Sequence, residues 1–140
     1  MGVIITSQSL ERRGTAGLLK PIIYCNPSEQ VIEQAVSVNV LLSKYLSYVK
    51  PARRSMRLES CFNPVIDALP EDSIIKEFDV LFHPDYQVDI LRMMVNACKR
   101  KPFRIIWPGR CSEGKLLYAE YGYRDYKEYN IQDYDITCII

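Results

Sequence analysis

The sequence is poor in the residues that nucleotide and metal sites usually need. Its 140 residues include one histidine and six glycines. No Gly-x-x-x-x-Gly-Lys-[Ser/Thr] segment, the loop that cradles nucleotide phosphates, occurs in the chain. Long apolar runs are also absent, so no segment is expected to span a bilayer. The first residues lack a charged start followed by a long apolar stretch, so we expect no secretory signal and a cytoplasmic protein.

Cysteine usage argues against both disulfides and zinc. The five cysteines are an odd number, they are widely spread, and no two form a Cys-x-x-Cys pair. A disulfide framework is therefore not expected. With His83 as the single histidine, none of the usual zinc-ligand spacings can be made. We predict small buried thiols at all five positions: Cys25, Cys61, Cys98, Cys111 and Cys138.

The length of the chain predicts one domain, and its charges are distributed unevenly between the two halves of the sequence. A chain of 140 residues can bury one sizeable core, so we assign residues 1–140 to a single domain. Residues 1–57 carry eight basic and three acidic side chains, whereas residues 58–140 carry ten and fourteen. This asymmetry predicts a basic and an acidic face and favours docking to a partner.

Short apolar runs alternate with amphipathic stretches along the chain. The apolar, β-prone runs predict strands at residues 3–6, 22–25, 36–40, 104–107 and 136–140, and residues 73–78 have a poorer strand pattern. The amphipathic stretches predict helices at residues 28–35, 41–49, 59–69 and 88–98. Pro64 is expected to lie in the first turn of the third helix or to break it. Strands that alternate with helices predict an α/β domain with a mainly parallel sheet.

The last third of the chain carries segments that are typical of one family. They are RIIWPG at residues 104–109, LLYAE at 116–120 and DYKEY at 125–129, preceded by the turn DVLFHP at 79–84. Together with VNVLLS at 38–43 and KPARR at 50–54, they extend over roughly residues 36 to 138. In these segments the chain resembles the BrxF family, the small P-loop proteins of type III bacteriophage-exclusion (BREX) systems.

The resemblance implies both a fold and a set of partners. It implies a P-loop-NTPase-like α/β domain with a mainly parallel sheet flanked by helices. It also implies an accessory role in an antiphage defence complex that contains a DNA methyltransferase, a large ATPase and a PglZ-type protein. We therefore expect the chain to act through protein contacts with these companions and to have no membrane partner.

The nucleotide-binding end is predicted to be degenerate. The nearest match to a P-loop follows the predicted strand at residues 3–6, where Gly14 and Thr15 are present but the lysine and the first glycine are missing. Arg12 and Arg13 beside them offer an alternative contact to a phosphate. Without the lysine, a charge-assisted contact of roughly 1.5 to 3 kcal/mol is lost. We predict no appreciable ATPase activity, and a weak nucleotide-binding ATPase is one alternative.

The expected metal-binding position is also altered. Members of the family place an acidic residue after an apolar strand, shortly before the turn at residues 79–84, where it can hold Mg²⁺. This sequence has Lys76 there, and Glu77 would lie on the opposite face of a regular strand. No other catalytic motif is present. We expect no catalytic residues, no metal and no bound cofactor, ATP with Mg²⁺ being the only cofactor that the resemblance offers.

Two further groups of residues predict binding surfaces. The basic cluster Lys50, Arg53, Arg54 and Arg57 follows a predicted helix, and such a cluster neutralises phosphates in nucleic-acid-binding proteins. A DNA-binding or other nucleic-acid-binding module is therefore the second alternative function. The C-terminal third is rich in tyrosines interleaved with acids, a pattern that suits a protein interface better than a phosphate backbone. We predict partner contacts at Trp107, Tyr126 and Tyr129.

Overall fold

The structure is a computed structural model that describes residues 1–140. Its strands are β1 (Val3–Ile5), β2 (Ile22–Tyr24), β3 (Val36–Ser37), β4 (Ser73–Lys76), β5 (Phe103–Ile106), β6 (Arg110–Ser112), β7 (Lys115–Tyr118), β8 (Lys127–Asn130) and β9 (Thr137–Ile139). Its helices are α1 (Ser7–Arg13), α2 (Glu29–Gln34), α3 (Asn39–Ser47), α4 (Leu58–Asp67) and α5 (Ile90–Arg100). Short 3₁₀ turns lie at Pro51–Arg53, Asp79–Phe82 and Ile131–Asp133. No helix has the length and apolar character needed to cross a membrane.

Six strands form one parallel sheet in the order β1, β9, β2, β5, β4, β3. The predicted α/β class with a parallel sheet flanked by helices is thereby confirmed. The strand that comes last in the chain, β9, lies between β1 and β2, with Cys138 opposite both Ile4 and Ile23. The apolar run at residues 22–25 forms a central strand because its side chains are buried on both faces of the sheet.

The two faces of the sheet carry cores of very different size. On one face, Ile22, Tyr24, Ile74 and Ile139 pack against side chains of α1 and α2, such as Leu10 and Val31. On the other face, a cluster of 30 buried residues joins the sheet to α3, α4 and α5. Helix α5 contributes most fully to this core, because seven of its eleven residues are buried.

Strands β6, β7 and β8 form a small antiparallel sheet that the sequence did not predict. The buried side chains of Leu116 in β7 and Tyr129 in β8 join the larger core. The segment between β5 and β9 therefore packs on the same face of the main sheet as α3, α4 and α5.

Two local predictions were wrong. The strand predicted at residues 36–40 ends at Ser37, since Val38 adopts a helical ψ of −1° and α3 begins at Asn39. Pro64 lies inside α4, neither in its first turn nor at a break. Proline cannot donate the hydrogen bond that the carbonyl of Ser60 would accept, and Ser60 lies on the exposed side of the helix.

Candidate functional site

In an open α/β sheet, ligands bind at the carboxyl edge, where neighbouring strands send their connections to opposite faces. Here that point lies between β2 and β5: β2 leads into α2 on one face, and β5 leads into the small sheet on the other. The two strand ends are joined by a hydrogen bond from the Trp107 amide to the Tyr24 carbonyl, 3.0 Å long.

The turn at this edge does not form a phosphate-binding loop. Only residues 25–28 separate β2 from α2, and they include no glycine and no lysine. A phosphate loop needs glycines so that several backbone N–H groups can converge on the anion, and a lysine to reach the outer phosphates. The turn after β2, which lies where α/β proteins bind ligands, therefore lacks the residues of a phosphate-binding loop.

The residues predicted to form a nucleotide site after β1 lie at the C-terminal end of α1. Arg12 and Arg13 form the last turn of α1, and Gly14 ends that helix with a φ of +70° while its N–H donates to the Leu10 carbonyl. Thr15 follows in the next turn. These residues lie at the carbonyl end of a helix, which carries partial negative charge, whereas phosphates bind at the N–H end. In addition, β1 is an edge strand that pairs only with β9.

At the end of β4, Lys76 is turned toward α2. Its ammonium group donates to the Ile32 carbonyl at 3.2 Å and lies 4.0 Å from the Glu77 carboxylate. Glu77 has a positive φ of 56° and accepts a hydrogen bond from the Ser37 hydroxyl at 3.0 Å. A cation thus occupies the position where the resemblance would place a ligand for Mg²⁺, and it links the strand to the neighbouring helix.

Three thiols meet beside this edge. The neighbouring Cys138, followed by burial, raises the pKa of Cys25 far above its usual range, and Cys111 lies close enough to affect it as well. Burial, followed by the neighbouring Cys25, raises the pKa of Cys111 to about 11. Both thiols are protonated near neutral pH, and protonated thiols are poor nucleophiles. All five cysteines are free, and no group of side chains has the arrangement of a metal site.

Two of the three predicted partner contacts belong to the core. Trp107 is 3% exposed and Tyr129 is 6% exposed, so neither can anchor a partner on the surface. The Trp107 indole N–H donates to the Leu117 carbonyl at 2.9 Å and thereby fixes the ring against β7. The prediction was wrong because tyrosines interleaved with acids occur equally on a strand with one buried face.

The exposed tyrosines lie in the connection between β7 and β8. We call residues 119–126 the tyrosine loop. Tyr121 is 85% exposed and Tyr123 is 67% exposed. Tyr126 is half-buried, its ring meets that of Tyr121 edge-on at 5.5 Å, and its hydroxyl donates to the Glu128 carboxylate at 3.0 Å. Of the three predicted contacts, only Tyr126 lies in the tyrosine loop, where it is half-buried.

The predicted basic cluster is divided by the structure. Arg54 turns inward, and its Nε donates to the carbonyls of Leu46 and Val49, both at 3.0 Å. Lys50, Arg53 and Arg57 instead line a shallow pocket of about 290 Å³ together with Tyr48 and Val49, and we call this the basic pocket. The order of the residues in the sequence does not reveal this division.

A larger cavity of about 460 Å³ lies between α3 and the turn that follows β4. The ring of Tyr118 stacks on that of Phe82 with centroids 4.0 Å apart, and its hydroxyl donates to the Asp79 carboxylate at 3.1 Å. Burial, followed by the charge of Asp79, raises the pKa of Tyr118 to about 12. Arg54 and Asp125 also line the cavity. No sequence signal groups these residues, because they come from three separate parts of the chain, near residues 54, 79–82 and 118–125.

Comparison of the chain with protein-family models, with curated proteins and with solved structures finds no match.

Proposed function

We propose that this protein is an accessory component of a BREX-type antiphage defence complex and that it acts by binding other proteins. The segments that resemble the BrxF family support this assignment, and the parallel α/β sheet agrees with the fold that the resemblance implies. The companions expected from the resemblance are a DNA methyltransferase, a large ATPase and a PglZ-type protein.

One observation favours binding over nucleotide hydrolysis. The turn after β2, at the edge where α/β proteins bind ligands, has only residues 25–28 and lacks both glycine and lysine. At the end of β4, where the resemblance implies a metal ligand, the ammonium group of Lys76 binds the Ile32 carbonyl instead. An α/β domain with this edge is suited to assembly, and these residues do not favour the binding of Mg²⁺ and a triphosphate.

We assign the partner contact to the tyrosine loop. Tyr121 and Tyr123 offer large, exposed rings, and Arg124 beside them has a side chain that is 83% exposed. Tyrosine and arginine are the residue types that carry much of the binding energy in protein interfaces. The Arg124 guanidinium lies 3.8 Å from the Asp85 carboxylate, an exposed ion pair that contributes little to folding and can be exchanged for a partner.

Co-expression with the three companions tests the assignment. We expect the protein to co-elute with at least one of them in size-exclusion chromatography, and Tyr121→Ser with Tyr123→Ser to abolish co-elution. Losing an aromatic anchor costs about 2 kcal/mol, or roughly thirtyfold in affinity. Tyr48→Ser is the matched control, because Tyr48 is 73% exposed but lies outside the loop. Co-elution that survives the double change would contradict the assignment of the surface.

A phage plating assay tests the biological role separately. Deletion of the chain from a host that carries the companion genes is expected to restore plaque formation, and re-expression is expected to suppress it again. If plating efficiency does not change, the defence role is wrong even where binding is observed.

Hydrolysis is tested with the purified protein. We expect phosphate release from ATP with Mg²⁺ at the level of a buffer control, and no rise in melting temperature with millimolar ATP. Ligand at a hundred times its Kd would stabilise the fold by about 2.7 kcal/mol, which a thermal scan detects. Turnover above the control that Thr15→Ala abolishes would establish the alternative of a weak ATPase.

A further inference from the structure

The basic pocket contains three cations that have no partner in the protein. None of the ion pairs in the structure involves Lys50, Arg53 or Arg57. The side-chain hydrogen bonds of the structure include none that these three residues donate, and all three are exposed. Cations that share one pocket without an acid repel one another, so the pocket attracts an anion.

A fourth basic residue of this segment, Arg54, has the role that cations usually have after a helix. Basic side chains often follow a helix because they bind its free carbonyls. Here Arg54 does so, since its guanidinium binds the carbonyls of Leu46 and Val49 at the end of α3. The three cations of the basic pocket are therefore not needed to end the helix.

An exposed aromatic ring completes the pocket. Tyr48 lines the pocket beside the cations, and 73% of its surface is open to solvent. No aromatic ring of the protein packs against it among the ring pairs of the structure. A free ring next to several cations is the combination that binds single strands, because bases stack on the ring while the cations follow the phosphates.

We propose that the basic pocket binds single-stranded nucleic acid, with phosphates on Lys50, Arg53 and Arg57 and a base stacked on Tyr48. A duplex fits less well, since its bases are stacked on each other and cannot cover the ring. The proposal goes beyond the assembly role and does not depend on it, because the tyrosine loop uses different residues.

Fluorescence anisotropy with a labelled oligothymidine at low salt tests the proposal. We expect binding in the micromolar range, with a slope of log K against log salt of about −2 for three phosphate contacts. The triple variant Lys50→Gln, Arg53→Gln, Arg57→Gln is expected to lose binding. The matched control Lys20→Gln, Lys99→Gln, Arg100→Gln removes the same charge from other exposed positions and is expected to keep it.

Substitutions of Tyr48 separate stacking from simple charge attraction. Tyr48→Ala is expected to weaken binding about five- to a hundredfold, whereas Tyr48→Phe keeps the ring and the affinity. All of these positions are exposed, so the melting temperatures of the variants should match that of the wild type, which checks that each variant is folded.

Each remaining outcome would overturn the proposal. Absence of binding at low salt, or equal losses in the triple variant and its charge-matched control, would show that the pocket is not a specific site. Equal affinity for a duplex of the same length would show that phosphates alone are bound. Displacement of the oligonucleotide by polyglutamate at equal charge would point to an acidic protein as the ligand.

Discussion

The indole ring of Trp107 meets the phenol ring of Tyr129 edge-on, with centroids 5.8 Å apart and an angle of 89° between the planes. The contact joins the end of β5 to β8 and thus fastens the small sheet to the main one. Phe82 and Phe78 also meet the indole edge-on, at 5.8 and 6.4 Å. Such pairs contribute about 0.5 to 1.5 kcal/mol beyond the area that they bury.

Truncating either ring is expected to destabilise the fold. Tyr129→Ala or Trp107→Ala should lower the free energy of unfolding by about 3 to 5 kcal/mol, because each leaves a cavity in the core. Urea unfolding followed by far-ultraviolet circular dichroism measures the change. Tyr121→Ala is the control and should stay within about 0.5 kcal/mol of the wild type. Equal effects at Tyr121 and Tyr129 would mean that Tyr129 is not a core residue.

Gly109 has no room for a side chain. A Cβ atom there would lie 1.9 Å from the Leu117 carbonyl oxygen, so backbone would have to move. Gly109→Ala is expected to cost at least about 2 kcal/mol in unfolding free energy. Gly114→Ala serves as comparison, because its Cβ meets nothing within 4 Å and only its positive φ of 76° carries a cost, about 1 kcal/mol. A smaller loss at Gly109 than at Gly114 would contradict this close approach.

Arg54 and Lys50 are expected to behave in opposite ways. Arg54→Gln removes two charge-assisted hydrogen bonds to the end of α3 and should cost about 1.5 to 3 kcal/mol of unfolding free energy. Lys50→Gln removes an exposed cation with no partner, so the unfolding free energy should hardly change. Thermal or urea unfolding of the two variants, measured side by side, compares their unfolding free energies. Similar melting temperatures for both would refute the helix-ending role of Arg54.

The raised pKa of Cys111 predicts slow alkylation. Its pKa of about 11 lies above the ordinary value of 9.0, so at pH 8 its thiolate fraction is roughly a hundredfold smaller than that of a free cysteine. Iodoacetamide labelling followed by mass spectrometry should show this lag, and the rate should rise with pH until about pH 11. In urea the lag should disappear. A native rate equal to the denatured one would contradict the shift.

The sequence predicts the main strands better than their arrangement. The apolar run at residues 22–25 is detectable because β2 is buried on both faces of the sheet, and the run at residues 104–107 because β5 alternates buried with half-buried side chains. The order of the strands cannot be predicted in this way, since the pairing of Val3 with Thr137 depends on how the whole chain between them folds. The small sheet was missed because β7 and β8 each bury only one side chain in full, Leu116 and Tyr129, and because β6 and β8 contain no apolar run.

For the candidate surfaces too, the sequence predicts one part and the tertiary structure determines the rest. The basic cluster at residues 50–57 is visible in the sequence, but which cation binds the helix end depends on the turn at Pro51–Arg53. Burial likewise decides between Tyr129 and Tyr121, two tyrosines with similar neighbours in the sequence. Local sequence gives the types of residue, whereas tertiary packing selects those that face solvent.

The position of β9 between β1 and β2 has a consequence for how the chain folds. Strand β1 pairs with no strand other than β9. Val3 can therefore form its strand pairing only after Thr137, near the end of the chain, has reached the sheet. Bringing two strands together across the whole chain lowers the chain entropy before any stabilising contact forms. Folds with many such distant pairs therefore fold slowly. Refolding after dilution from urea should therefore be slow for a domain of this size, and the amides of β1 should gain protection from hydrogen exchange together with those of β9.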